Sequence, residues 1–457
     1  MRREIELRPL LIVFLSFALG LSVTFGWWHL LALLPLFWIF KEVHLRWIIA
    51  ISCLIGVIFH PPFPDKMFLG KEAFKGEVRV ASVPLRYGDV ILCEGDWQGH
   101  RVQMYFKRRL DISMGDRLLL GGLMTPPQEQ MDGRGFYARV EVVGDVVQLR
   151  EGPGIWRFGL SVRRSFEDFL EKYGNPRVSG LIESLCFGGF SGLGQELTSD
   201  FQRTGTIHIV SVGGLHVLIL AVALAWGLGT LPIPRWAQVA ILLALLLLYA
   251  GASGLRPPIV RAVIMAACYY PAYLFRREPD ALSAVSLAGL ISLVVWRDAI
   301  YDIGFLLSYA AVFGLILFAS VELAPSGGSL WSWVKQRSAE LFRTSLVATL
   351  STAPITSYVF GYISVIGVVA NLFVVPFVAI IIIASMLGWL VSLVIPAVGV
   401  GIYKIAAEPL TGWIMFVVDV LGGFKWSALP VPWYSPYLIP IPYVLALLIW
   451  RARYRES

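Results

Sequence analysis

Apolar runs close to twenty residues long recur along this chain, and that recurrence constrains its fold more than any other feature. Such a run matches the hydrocarbon thickness of a bilayer, where only a helix or a closed barrel satisfies every backbone polar group. Hydropathy places spans at about Leu10–Phe25, Trp28–Phe40, Trp47–His60, Ile207–Leu228, Trp236–Ser253 and Ile259–Phe275. Further spans fall at about Ala281–Trp296, Ile303–Ala319, Leu346–Phe360, Val365–Leu393, Ile402–Leu421 and Tyr437–Trp450, which makes roughly twelve. Of the 457 residues 57% are hydrophobic and only 15% charged, which excludes an ordinary soluble globular domain. The first run lies behind Arg2, Arg3 and Arg8, as a signal peptide would. No small-residue cleavage site follows it and more spans come at once, so it reads as an anchor.

The basic residues give the orientation. Arg2, Arg3 and Arg8 precede the first span, Lys41 and Arg46 follow the second, and Arg276 and Arg277 follow the sixth. Lys335, Arg337 and Arg343 read as a loop before the ninth, and Arg451, Arg453 and Arg455 follow the last. With both termini cytoplasmic, every cluster falls inside, as the positive-inside rule expects of a multi-pass inner-membrane protein. The net charge of +7 is therefore a topology signal before it is evidence of nucleic-acid binding.

Between the third and fourth spans the texture changes. Gly76–Val83, His100–Phe106, Asp116–Gly122 and Tyr137–Leu149 alternate apolar with polar and are separated by turn residues, so they read as strands of a small barrel or sandwich. An OB-like barrel is one such architecture. The fold class expected is a polytopic α-helical membrane protein with an inserted small all-β, OB-like extracytoplasmic domain. Its parts are N-terminal transmembrane helices over 1–62, the β domain over 63–152, amphipathic interfacial helices over 153–204 and a transmembrane channel domain over 205–457.

Tyr87, Trp97, Tyr105 and Phe106 in the β domain are candidates for stacking on bases, and Lys107, Arg108 and Arg109 form a basic run beside two of them. Residues Asp65–Glu151 hold 13 basic and 13 acidic side chains, so no net field draws in a polyanion. Barrel-core aromatics beside a solvated turn explain the same residues. Cys93 and Cys186 would share the external side and could pair, whereas Cys53 and Cys268 lie in apolar spans.

Ionisable side chains at bilayer depth are costly and usually face a protein interior or a wet path. His208 and His216 stand in GTIHIVSVGGLHVLIL and Arg261 in RPPIVRAVIMA. On an unbroken helix the two imidazoles lie about 12 Å apart along the axis and about 80° apart around it. Gly213 and Gly214 between them permit a break. The plainer use of each histidine is a neutral hydrogen bond between helices, and Arg261 could snorkel to the interface. Asp302 and Ser308 open another span, where Asp302 could pair with Arg297 or Arg261, and Asn371 with Pro376, like Pro354, marks an interrupted one. No Walker A loop, metal-ligand set or nucleophile triad emerges from the sequence, so neither an enzyme nor a cofactor is expected.

At these residues the chain resembles the ComEC competence family of membrane proteins, which pass single-stranded DNA into bacteria. The family segment G-T-x-H…G-L-H-V is matched by Gly205, Thr206, His208, Gly214, Leu215, His216 and Val217. Its R-A-x-x-M helix is matched by Arg261, Ala262 and Met265, and its D-x-G-F-x-L-S segment by Asp302, Gly304, Phe305, Leu307 and Ser308. Its N-L-x-x-x-P segment is matched by Asn371, Leu372 and Pro376. Gly213 stands where the family usually has Ser, and Leu306 where Gln is common, so two hydrogen-bonding groups are missing from the path. Many relatives also carry a metallo-β-lactamase-like domain, which is not expected within these residues.

The resemblance implies an inner-membrane channel importing single-stranded DNA during natural transformation, with membrane lipid around it. His208, His216, Arg261, Asp302, Ser308 and Asn371 would line the path. A cytoplasmic helicase, a separate nuclease and an extracytoplasmic DNA-binding competence protein are the partners it would need. The alternative is a secondary transporter or envelope-assembly protein for a small or lipidic solute, with His216 and Asp302 as a proton relay. A hydrolase using His216 with Ser211 or Ser308 has no supporting spacing.

Overall fold

A computed structural model describes residues 9–21, 43–58, 70–82, 84–87, 90–107, 110, 112–126, 137–151, 153–188, 193–210, 213–273, 280–295, 299, 302–318, 330–424 and 426–431. The expected spans Trp28–Phe40 and Tyr437–Trp450 lie outside the described residues. The chain divides into two compact units, one of Met1–Phe63, Ile264–Leu372 and Trp426–Ser457, the other of Pro64–Val263 and Phe373–Lys425.

The structure is mostly helical, with one small β-barrel. Three helical stretches among the described residues are long and apolar enough to cross a membrane: Arg235–Ala252, Gly367–Ser392 and Pro396–Gly422. Five shorter apolar segments accompany them: Ile48–Val57, Gly214–Gly229, Pro258–Tyr269, Ala281–Val295 and Ile303–Ile316. Helices rise about 1.5 Å per residue, so a segment of some sixteen residues falls short of the hydrocarbon core.

The barrel belongs to the second unit. Strands β1 (Glu72–Val80), β2 (Leu85–Tyr87), β3 (Val90–Trp97), β4 (His100–Phe106), β5 (Arg117–Thr125) and β6 (Ala138–Arg150) run in the order β1-β5-β6-β4-β3-β2. A further pairing of β1 with β3, Arg79 opposite Asp96 and Val80 opposite Gly95, closes the ring. Alternation decides what faces inward: Val78, Ile91, Cys93, Val102, Met104, Phe106, Leu118, Leu120 and Val140 are all buried. Strand β3 escaped the sequence reading because Glu94, Gly95 and Asp96 interrupt its apolar pattern. Its hairpin with β4 turns at Gln98 and Gly99, both at positive φ, and the Gly99 amide donates to Asp96 Oδ1 at 2.9 Å.

Helix α3 (Gly154–Tyr173) carries the chain from the barrel into the helical part of the same unit, followed by α4 (Pro176–Phe187), α5 (Gln195–Arg203), α6 (Ile207–Val210), α7 (Gly214–Gly229), α8 (Arg235–Ala252) and α9 (Pro257–Tyr269). At the barrel, Arg157 meets the fully buried Asp116 at 3.5 Å. Two residues on, Gly159 lies against α8, where an added Cβ would sit 2.9 Å from the Gly251 carbonyl carbon. Further along, the buried Arg163 binds Glu167 at 2.7 Å and Glu183 of α4 at 2.6 Å. Burial lifts the Glu183 carboxyl above the ordinary range, with Arg163 opposing that rise.

In the first unit α1 (Pro9–Leu21) and α2 (Val43–Ile58) precede the barrel in sequence, while α10 (Ala281–Val295), α11 (Ile303–Phe318) and α12 (Leu330–Phe360) follow α9. Phe14 of α1 packs against Tyr309 and Phe313 of α11, with Phe305 on Tyr309 beside them. Lys335, Arg337 and Arg343 do not form the expected loop; they ride on α12, where Arg337 pairs with Glu340 at 3.0 Å, a spacing that supports a helix. Strand β7 (Tyr362–Ser364), helices α13 (Gly367–Ser392), α14 (Pro396–Ile402) and α15 (Glu408–Gly422) and strand β8 (Ala428–Pro430) complete the chain order. A π-helical turn over Tyr403–Ala407 joins α14 to α15, and β7 pairs with β8. The interruptions expected at Pro354 and Pro376 are absent, since α12 and α13 run through both prolines.

Replacing Arg163 strands two carboxylates, one of them already reluctant to ionise. Arg163→Ala is expected to lower stability in detergent by about 3 kcal/mol. Glu183 then has its folded-state pKa raised further above the unfolded one, so its penalty grows as pH rises through that value. The loss in Tm, followed by thermal unfolding, is expected to be larger near pH 8 than near roughly pH 5.

Candidate functional site

The motif around the two histidines is not one helix. The α5 helix ends at Thr204, whose hydroxyl lies 2.8 Å from that of Thr206, and Gly205 turns the chain at positive φ. His208 stands on the single turn of α6, its Nδ1 3.0 Å from the Gly205 carbonyl, and its residue surface is exposed. Helix α7 then starts afresh from Gly213. The reading of an uninterrupted helix, with its spacing between the imidazoles, gives way to two helices; the break falls where the glycines allow it.

His216 sits in the first turn of α7, 1% exposed. Its Nδ1 accepts the Gly213 amide at 3.3 Å, which satisfies one of the amides a new helix leaves unpaired. That acceptance puts any ring proton of the neutral form on Nε2, and Nε2 is buried without a hydrogen-bond partner among the described residues. The start of α7 faces α9, where an added Cβ on Gly214 would lie 3.9 Å from Ala262 Cβ. Arg261, the residue before Ala262, is 3% exposed. So Arg261 does not snorkel to a free surface. One unit thus holds His208 on α6, His216 at the start of α7 and Arg261 on α9, the helix whose Ala262 lies against that start.

Asp302, Ser308 and Asn371 belong to the other unit. Asp302 Oδ1 accepts the Phe305 amide at 2.6 Å, making it the N-cap of α11. Arg297, one of its two expected ion partners beside Arg261, lies outside the described residues. Ser308 is half-buried one turn further on. Asn371 donates from Nδ2 to Ser345 Oγ at 2.8 Å, tying α13 to α12, while its Oδ1 is buried with no partner among the described residues.

In the barrel the aromatic candidates separate. Phe106 is fully buried and cannot meet a ligand. Tyr105 donates to Gln103 Oε1 at 2.9 Å and lies under the Arg139 guanidinium, 3.9 Å from ring centroid to Cζ. Half-buried Trp97 stands edge-on to Phe74 and beside His100 and Tyr137, whose own rings stack at 4.5 Å. His100 and Tyr137 were missed by the sequence reading, although the two-residue turn at Gln98–Gly99 sets His100 opposite Trp97. Lys107 is exposed, Tyr87 lies on β2, and Arg108 and Arg109 lie outside the described residues. Cys93 and Cys186 are both buried and free. Among the described residues no three His, Cys, Asp or Glu side chains gather as metal ligands would.

A family model described as "Competence protein" matches residues 185–456. The chain is 30% identical over 218 residues to ComE operon protein 3 of Bacillus subtilis (strain 168), a match covering 48% of this chain and 27% of that protein. It is 26% identical over 352 residues to Competence protein ComA of Neisseria gonorrhoeae, covering 72% of this chain and 48% of that protein. An uncharacterized protein of Aquifex aeolicus (strain VF5) is 25% identical over 222 residues, 48% of this chain and 50% of that protein. The chain thus spans half or less of the length of these curated relatives. No solved structure matches it.

The capping role of Asp302 needs an acceptor oxygen and no charge. Asp302→Ala is expected to cost about 1 kcal/mol of stability and Asp302→Asn a few tenths at most. Thermal unfolding of the two purified variants checks the difference.

Proposed function

The chain belongs to the Competence protein family, and from that premise we propose that it is an inner-membrane channel importing single-stranded DNA during natural transformation. The observation that carries this reading is the helix break inside the family-matched segment, where buried His216 caps a new helix beside the one bearing buried Arg261. Non-helical backbone and ionisable groups within an apolar segment are tolerated where they line protein or water. Arg261 carries a permanent charge and a planar donor fork suited to phosphate oxygens. With Nδ1 accepting, the Nε2–H of His216 offers a single donor to a passing polar group.

In this reading the full set of about twelve spans, both termini cytoplasmic, and the path residues His208, Asp302, Ser308 and Asn371 belong to the conduit. The barrel receives the strand on the extracytoplasmic side. Its closure through β1–β3 and the parallel pairing of β4 with β6 support an OB-like architecture. Trp97, His100 and Tyr137 provide half-buried rings, and Arg139 over Tyr105 a cation on an aromatic, as single-strand binding surfaces do. Transport is driven by a cytoplasmic helicase, with a nuclease and a DNA-binding competence protein as further partners.

Deleting the gene in a transformable host is expected to abolish uptake of naked DNA while DNA still binds the cell surface. His216→Ala and Arg261→Ala are each expected to give the same loss, at least about a hundredfold in transformants if the charge contact is required throughout passage, with unchanged protein level by immunoblot. Normal transformation together with a pH-dependent solute flux would replace the conduit with the proton-coupled transporter.

A further inference from the structure

The barrel presents an apolar row that its core does not use. Along the β5–β6 ribbon Leu118 and Leu120 point inward, whereas Leu119 and Leu123 of β5 and Val143, Val147 and Leu149 of β6 take the outward positions. Val143 is 70% exposed, Val147 and Leu149 each 51%. Leu119 stands directly opposite Val147. Strand β4 pairs with β6 only over Ala138–Val142, so the second half of β6 has no strand on that side among the described residues. Single exposed apolar side chains are ordinary, but a row on one ribbon marks an interaction surface.

Its position in the unit selects the occupant. The ribbon ends at Arg117 and Arg150, and the next residues lead into α3. There Arg157 holds Asp116, the residue before β5, and Gly159 lies on the Gly251 backbone near the end of α8. Since α8 is long and apolar enough to cross a bilayer, this end of the ribbon stands beside the end of a span. Phe158, between the two anchors, is 57% exposed. The charges bordering the row are Lys75, Glu77 and Arg79 on β1, Arg117 on β5, and Arg139, Glu141, Asp145 and Arg150 on β6, with Glu151 just beyond. Glu77 is held by Arg117, Glu141 by Arg139 and Glu151 by Arg157. Among the described side chains Lys75, Arg79 and Arg150 remain as exposed cations. Apolar side chains below the headgroups with cations at the phosphate level is the pattern of an interfacial contact with anionic lipid.

We propose that the outer face of the β5–β6 ribbon lies on the bilayer that α8 crosses, with Val143, Val147 and Leu149 inserted among anionic lipid headgroups. This rests on α8 being a span, and on nothing about DNA. The contact fixes the barrel against the membrane surface through a second point besides α3.

The test uses the full chain in nanodiscs containing phosphatidylglycerol, with Cys53→Ala and Cys268→Ala removing the two less buried thiols. Val147→Cys, Gln98→Cys on the β3–β4 turn and Leu247→Cys on α8 each carry one environment-sensitive fluorophore. Nitroxide attached to lipid is expected to quench the probe at position 147 several-fold more than at 98, approaching position 247. If position 247 is unquenched, α8 is not a span and the premise falls. Strong quenching at 247 with a wet, unquenched probe at 147 overturns the docking itself. Shielding of 147 from aqueous iodide without lipid quenching means that protein, a second copy or a partner, covers the row, and overturns it too. Equal quenching in purely zwitterionic discs would remove the role given to the basic border.

Discussion

A helix that starts inside an apolar environment must find partners for its first amide groups, because neither lipid nor dry protein supplies them. Much of this structure follows from that requirement. His216 gives its Nδ1 to the Gly213 amide, Asp302 its carboxylate to Phe305 and Asp280 to Ser283. Each is a polar residue placed at the first turn of a helix. Polar residues that stand out in a hydropathy profile are therefore in part the punctuation of the helices. The same side chains that let a chain restart a helix at depth also leave polar atoms there, and His216 Nε2 is one.

Helix α3 is the second organising element. It is amphipathic in sequence, and packing and ion pairs engage both its apolar and its charged residues. The glycine at 159 admits the backbone of α8, Ser165 accepts the Trp389 indole N–H at 3.2 Å, and Phe166 packs against Phe187 and Trp389. On the charged side Arg163 gathers two carboxylates and is itself 2% exposed. Removing one member of such a cluster is costly because the others stay buried. The helix joins the barrel, through Arg157, to the candidate spans of its unit.

The family match begins at residue 185, inside α4, so the barrel and α3 lie before it. The matched part holds the histidines and Arg261 as well as Asp302 and Asn371. Within it the two sets fall in different compact units, and each set has its own local structural reason. His216 and Asp302 cap helices, while Asn371 bridges α13 to Ser345. A capping or bridging residue can serve a path as well, because one oxygen or nitrogen in a bond leaves another atom of the group available. Asn371 Oδ1 and His216 Nε2 are atoms in that position.

The sequence by itself determined the class of this protein. Long apolar runs, sparse charge and an alternating segment between them require buried helices and a small all-β insertion, since those periods of two and about 3.6 residues admit no other local structure. It also pointed to the residues whose burial would be costly, and to the glycines where a helix could break. Tertiary structure alone decided what those residues touch. The ring closure of β1 on β3, the company of His100 and Tyr137 around Trp97 and the continuity of α12 and α13 through their prolines all depend on neighbours distant in the chain. So do the burial of Arg163 and the seating of Gly159 on Gly251. Periodicity reports which side of an element is apolar; only packing decides which polar atom meets which, because that depends on distances between elements and not on spacing within one.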